Sequence, residues 1–142
     1  MTRIDFYTGV DSQARTIAQL CLKALTQDMP VVVLTTSPAD AEQIDTALWA
    51  HPATGFIPHV RAPHRLAAVT PVVIGHSLAD LEGDGLLINL QREVPELFSR
   101  FRRVAEIVST DDDATQAGRT RYRFYRDRGY ELGWHDLREK RA

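Results

Sequence analysis

Arginine and tyrosine recur at helical spacing near the end of the chain. On a helix, residues at i, i+3, i+4 and i+7 share one face, and that spacing joins Arg119, Tyr122, Arg123 and Arg126. A planar guanidinium pairs with a carboxylate or phosphate through two parallel hydrogen bonds. The pattern therefore predicts either a surface for an acidic, carboxyl-terminal or phosphorylated partner, or an ordinary solvated basic helix face.

The other side of the same segment is apolar. Ala114, Ala117, Phe124 and Tyr125 are expected to dock this helix on a core. The aspartates at 111–113 precede it, where acids complement the helix dipole. A divalent ion is the alternative interpretation of that triplet, but cap and dipole roles explain it more simply.

A second notable group is aromatic and apolar, and it contains Trp49, Phe56, Ile57 and Pro58. Aromatic side chains dominate the energetics of interfaces, so an exposed anchor is one interpretation. A tryptophan at the end of a helix also commonly packs on a sheet. From these residues alone, interface and core remain equally open.

The elements that must position these side chains alternate between strand and helix. Apolar runs predict strands at 4–7, 31–34, 72–74, 86–90 and 104–108, the last being the final strand. Capping residues and helical periodicity predict helices that start near residues 12, 37, 94 and 111. The segment 54–71 is loop-like, with one short strand candidate at 56–57.

Alternating strands and helices predict a single three-layer α/β/α domain with a Rossmann-like, mostly parallel sheet. We assign residues 1–135 to this domain and residues 136–142 to a charged C-terminal tail. The formal net charge is −2, which argues against a molecule that binds nucleic acid through its overall charge. No leader or membrane-spanning apolar run is visible, so a cytoplasmic location without membrane contact is expected.

Signatures of catalysis are missing from the sequence. The first predicted strand leads into Thr8-Gly9-Val10-Asp11, which is neither a three-glycine dinucleotide motif nor a phosphate-binding loop. The five histidines include no helical i, i+4 pair that would suggest a metal site. Cys21 falls on the apolar stripe of the first predicted helix, so packing explains it better than nucleophilic chemistry. We therefore predict no catalytic residues, no cofactor and no metal.

Two long motifs carry a family resemblance. The first is Ile44-Asp-Thr-Ala-Leu-Trp-Ala-His-Pro-Ala-Thr-Gly-Phe-Ile-Pro-His59, and the second is Arg119-x-x-Tyr-Arg-x-Tyr-Arg-x-x-Gly-Tyr130. With Asp5-Phe6-Tyr7 near the start, they resemble the chi subunit family of bacterial DNA polymerase III, accessory subunits of the clamp-loader complex. The chain departs from the family at 61–70, which lacks a glycine-rich run, and at Arg123, where lysine is common.

The resemblance implies a non-enzymatic bridging subunit. Chi proteins bind the acidic C-terminal tail of single-stranded DNA-binding protein, which ends in Pro-Phe, so their contact with single-stranded DNA is indirect. They also attach to the psi subunit; another clamp-loader component or a helicase is the alternative second partner. Carried over by position, the tail-binding residues are Arg119, Tyr122, Arg123, Arg126, Trp49, Phe56 and Val108.

An exposed apolar patch rimmed by polar groups usually marks an interface. We therefore expect the second partner at Phe56, Ile57 and Pro58. Two other functions remain open from the sequence. One is a nucleotide-binding enzyme on a Rossmann-like sheet. The other is direct binding of single-stranded DNA, with Tyr122, Tyr125 and Trp134 stacking on bases between arginines.

Overall fold

The computed structural model describes residues 2–49, 58–62 and 70–138. In these ranges the chain forms seven strands and three α-helices. The strands are β1 (Arg3–Val10), β2 (Val31–Leu34), β3 (His59–Arg61), β4 (Val72–Gly75), β5 (Leu86–Asn89), β6 (Arg103–Ser109) and β7 (Glu131–Asp136). The helices are α1 (Gln13–Thr26), α2 (Pro38–Trp49) and α3 (Asp112–Asp127), with 3₁₀ turns at Leu78–Asp80 and Phe98–Arg100.

The strands form one sheet in the order β3-β4-β2-β5-β6-β1-β7, and every neighbouring pair is parallel. Strands β3 and β7 are therefore the two edges. Because all strands run the same way, their carboxyl ends lie along one side of the sheet. The α/β fold with a parallel sheet predicted from the sequence is confirmed.

The sheet has a hydrophobic core on each face. Successive side chains of a strand point to opposite faces, so in β2 Val31 and Val33 pack with α1 and α2, while Val32 and Leu34 pack on the side of α3. The central strands are apolar at nearly every position because both faces of the sheet are covered by other parts of the chain. Cys21 lies in the first of these cores, fully buried, as expected for a packing residue.

Helices α1 and α3 have the capping residues that the sequence predicts. The Ser12 side chain accepts a hydrogen bond from the Arg15 amide, and the Asp111 side chain accepts one from the Ala114 amide. These side chains satisfy backbone donors that would otherwise lack intrahelical partners. Asp113 in the first turn of α3 forms an ion pair with Arg92.

The structure differs from the sequence-based prediction at its weakest elements. Residues 104–108 belong to β6, which is not the final strand, since β7 follows α3. Strand β7 is a half-exposed edge with the sequence ELGWHD, which has no apolar run to reveal it. The helix predicted near residue 94 is only a 3₁₀ turn at Phe98–Arg100. Strand β3 lies inside the predicted loop, and the strand candidate at 56–57 falls outside the described residues.

The boundary between domain and tail at residue 135 stays a prediction. Strand β7 extends to Asp136, and Leu137 packs against the core that contains α1. None of the helices in the described ranges has the length and apolar character needed to cross a membrane.

Candidate binding site

Helix α3 is held on the sheet by a buried polar contact. Its buried residues are Gly118, Arg121 and Tyr125. The prediction that Tyr125 docks on a core is confirmed, and the other residues expected on that face, Ala114, Ala117 and Phe124, are partly buried. Arg121 was missed by the sequence reasoning, although it is only 4% exposed. A lone glutamate within the apolar run of β6 is the signal that could have predicted it.

That glutamate is Glu106, and its side chain is fully buried. Its carboxylate accepts hydrogen bonds from Arg121 Nε at 2.9 Å, Asn89 Nδ2 at 2.8 Å and Tyr125 Oη at 2.6 Å. Arg121 Nη1 also donates to the carbonyl of Arg92 at 2.8 Å. Burial raises the pKa of the Glu106 carboxyl, and the Arg121 charge and the three hydrogen bonds oppose that rise. The network fixes the height and rotation of α3 on the sheet.

The outer face of α3 carries the predicted cations. Arg119, Arg123 and Arg126 are exposed and Tyr122 is half-buried. Arg126 pairs with its neighbour Asp127 at 3.1 Å. Within the described ranges, no hydrogen bond or ion pair involves the guanidinium of Arg119.

A cleft of about 110 Å³ opens beside Arg119, at the carboxyl ends of β1, β6 and β7. Its lining includes Val108 from β6, Gly118 and Arg119 from α3, and Trp134 from β7. A side chain at Gly118 would place Cβ 2.9 Å from Val108 Cγ2. The glycine therefore lets α3 approach β6 closely enough to form this cleft. Val108 and Arg119, which the family resemblance assigns to tail binding, both line this cleft, and their role in binding stays a prediction.

Trp134 supplies an aromatic wall. Its indole stacks on Phe6, with ring centroids 5.7 Å apart, and meets the edge of Tyr122 at 5.4 Å. Residues Glu106, Phe6 and Trp134 are in register across β6, β1 and β7, so these rings share the sheet face that α3 covers. The indole remains 51% exposed. From the sequence, Trp134 has a role only in the alternative of direct DNA binding, because β7 has no apolar run that predicts a strand.

Trp49 does not join this surface. It ends α2, is 56% exposed, and its ring lies 4.6 Å from that of His59 in β3. The six strand spacings from β3 to β7 are about 4.8 Å each, which puts the two edges about 29 Å apart. Trp49 ends α2, which packs on β3 and β4, whereas Arg119 lies on α3, which packs on β6, β1 and β7 over the opposite face of the sheet, so the structure does not bring these two residues together. Pro58 is half-buried near Trp49 in the chain, and Phe56 and Ile57 lie outside the described residues.

Comparisons with a family model and with known proteins all indicate the same family. The family described as DNA polymerase III chi subunit, HolC, matches residues 1–133. A DNA polymerase III subunit chi from Pseudomonas aeruginosa is 38% identical over 141 residues, covering 96% of this chain and 98% of that protein. The Haemophilus influenzae subunit is 32% identical over 72% of each chain. The Escherichia coli subunit is 26% identical over 87% of this chain and 85% of its own length.

Proposed function

The chain belongs to the DNA polymerase III chi subunit family, and we propose that it acts as a non-catalytic, cytoplasmic accessory subunit in DNA replication. In this proposal it links the clamp-loader complex to single-stranded DNA-binding protein. The arginine face of α3 and the cleft beside it bind the acidic C-terminal tail of that protein. Contact with single-stranded DNA is then indirect.

The observation that carries this proposal is the position of Arg119 at a cleft whose apolar wall is the exposed Trp134 indole. A tail that is acidic and ends in Pro-Phe needs cations for its carboxylates and an apolar recess for its phenyl ring. An engineered cavity of about 150 Å³ accepts benzene, so an open cleft of about 110 Å³ is large enough to hold part of such a ring. Arg123 and Arg126 continue the basic surface along α3 for the acidic residues that precede the ring.

The proposed tail site thus consists of Arg119, Tyr122, Arg123, Arg126, Val108 and, in addition, Trp134. Trp49 is excluded from it because it lies at the other edge of the sheet. Phe56 stays a prediction, since it is not among the described residues.

Bridging requires a second surface that can be occupied at the same time. We place it around Trp49 and Pro58 at the β3 edge, with Phe56 and Ile57 as its predicted apolar members. Trp49 is an exposed aromatic of the kind that anchors interfaces. Its separation of about 29 Å from β7 leaves room for two partners. The partner proposed here is a psi subunit, another clamp-loader component or a helicase.

Direct stacking on single-stranded DNA has less support than tail binding. Of the three rings that this function would use, Tyr125 is fully buried, and the half-buried Tyr122 packs against both Phe6 and Trp134. Trp134 is the most exposed of the three.

Titration of the full chain with a labelled tail peptide tests the proposal. Arg119→Gln is expected to weaken binding about tenfold or more, because charge-assisted hydrogen bonds are worth roughly 1.5–3 kcal/mol. Arg102→Gln is the matched control. It removes the same charge from an exposed position at the amino end of β6, whereas the cleft lies at the carboxyl ends of the strands. A peptide without Pro-Phe should bind much more weakly to the wild type. Equal affinity for both peptides, or an unchanged Arg119→Gln variant, would show that the site is elsewhere.

A further inference from the structure

The cleft beside Arg119 has a second cationic wall, supplied by Arg138. This arginine follows β7 and lines the same cleft as Arg119, which approaches from α3. Two arginines from different elements, one on α3 and one after β7, therefore line the same recess. Neither composition nor helical spacing draws attention to Arg138, since it lies in the segment that looks like a solvated tail.

Three contacts hold Arg138 in place. The carboxylate of Asp136 accepts a hydrogen bond from the Arg138 amide at 3.0 Å and lies 3.5 Å from its Nε. The side-chain stem also lies over Gly9 at the end of β1. A Cβ on Gly9 would fall 2.6 Å from Arg138 Cγ and 2.8 Å from Nε, and the φ of +65° there also favours glycine. The stem is thus seated on the backbone, while the side chain as a whole remains 64% exposed.

We infer that Arg138 binds the free α-carboxylate at the end of the captured tail, together with Arg119. This inference rests on the proposed function and assigns a second arginine to the terminal carboxylate of that tail. A carboxylate has two oxygens with about four lone-pair positions, so one bidentate arginine leaves acceptor capacity for a second donor. Two arginines that line one recess can therefore donate to the same carboxylate.

Substitutions of Arg138 and of its ion-pair partner Asp136 should change the affinity for the tail in opposite directions. The Asp136 carboxylate lines the cleft and forms an ion pair with Arg138 in the free protein. An incoming carboxylate must share Arg138 with it and is repelled by it. Asp136→Asn removes the charge but keeps an oxygen that can accept the Arg138 amide hydrogen bond. If Arg138 binds the ligand, Arg138→Gln weakens binding and Asp136→Asn strengthens it. If the ion pair only stabilises the end of β7, both variants are neutral or both weaken binding.

The experiment compares a tail peptide that ends in a free carboxylate with the same peptide ending in a carboxamide. Wild type is expected to lose about tenfold in affinity on amidation, the value of one charge-assisted hydrogen bond. Arg138→Gln should lose about tenfold for the acid peptide and much less for the amide, so that its amidation penalty shrinks. Asp136→Asn should bind the acid peptide about threefold more tightly, since an exposed like-charge contact is worth up to about 1 kcal/mol. Arg102→Gln again controls for net charge.

An amidation penalty that is the same in wild type and Arg138→Gln would overturn the inference. So would unchanged or weaker binding of the acid peptide by Asp136→Asn, provided that its thermal unfolding matches that of wild type. A wild-type protein that binds neither peptide would instead contradict the proposed function. The two failures are therefore distinct.

Discussion

Replacing the buried Glu106 by glutamine should destabilise the protein strongly. In the native structure the carboxylate receives donors from three side chains, Arg121, Asn89 and Tyr125. A glutamine amide has only one oxygen, and its NH₂ group would face at least one of these donors. It would also leave the Arg121 charge without its counter-ion in a site that is only 4% exposed.

Removing one partner of a buried ion pair costs about 3–5 kcal/mol. Domains are typically stable by about 5–15 kcal/mol, so this loss is a large fraction of the total. For a chain of this size it corresponds to a fall in melting temperature of roughly 10 °C or more. Urea denaturation followed by circular dichroism measures the change in the free energy of unfolding.

The triple variant Glu106→Leu, Arg121→Met and Tyr125→Phe is the matched control, because the buried Tyr125 hydroxyl would otherwise lose its acceptor. An apolar pair removes both charges and both desolvation costs, so it is expected to recover much of the stability lost by Glu106→Gln. The pKa of Glu106 is raised by burial, and a carboxyl that is neutral in the folded protein would tolerate glutamine. A cost below about 1 kcal/mol for Glu106→Gln would therefore show that no ion pair holds α3 in place, and would refute this reasoning.

Three further predictions concern packing, pH and salt. Gly118→Ala should be less stable than wild type by about 1 kcal/mol in urea denaturation, because crowding against Val108 outweighs the helix propensity gained; a more stable variant would contradict the close packing. Burial raises the pKa of the Asp5 carboxyl, but hydrogen bonds from Arg3, His135 and Arg103 outweigh burial, so the pKa in the folded protein lies below the usual 3.8. The ionised carboxylate should therefore stabilise the fold above about pH 4, and this stabilisation should be lost as the pH falls. Asp5→Asn should flatten the decline in unfolding free energy in that acid range, and an unchanged decline would rule out this role. Tail-peptide affinity should fall as the salt concentration rises but persist at high ionic strength, since salt screens the arginine contacts but not the burial of the phenyl ring. Calorimetry across a salt series measures this, and a complete loss of binding at high salt would show that only charge attracts the tail.

The fold was largely predictable because its central strands are short apolar runs buried on both faces. Strand β2 shows this well, since each of its residues is buried and its limits match the prediction. Strand β7 was not predictable in the same way, because an edge strand with one open face needs no continuous apolar sequence. Missing β7 also hid the place of Trp134 and Arg138 in the cleft.

The candidate site was predicted in part. Helical spacing alone joined Arg119 to Arg123 and Arg126, since that relation is local. The grouping of Trp49 with Arg119 was carried over from sequence motifs, which contain no information on which strands become neighbours. In the structure Trp49 lies beside edge strand β3, while Arg119 lies on α3 over β6, β1 and β7. Arg121 was overlooked because a charged residue is assigned to the surface unless its buried partner is recognised as well.

The chain contains two tryptophans, and each marks one of the proposed surfaces, Trp134 the tail cleft and Trp49 the β3 edge. Tryptophan fluorescence of the single variants Trp49→Phe and Trp134→Phe, titrated with the tail peptide, is therefore the most direct test of tail capture beside Arg119. The emission of Trp49→Phe is expected to change on binding, because Trp134 remains. The emission of Trp134→Phe is expected to stay constant at peptide concentrations that calorimetry shows to saturate this same variant. A response from Trp134→Phe with none from Trp49→Phe would place the tail at the opposite edge of the sheet and contradict the proposed site.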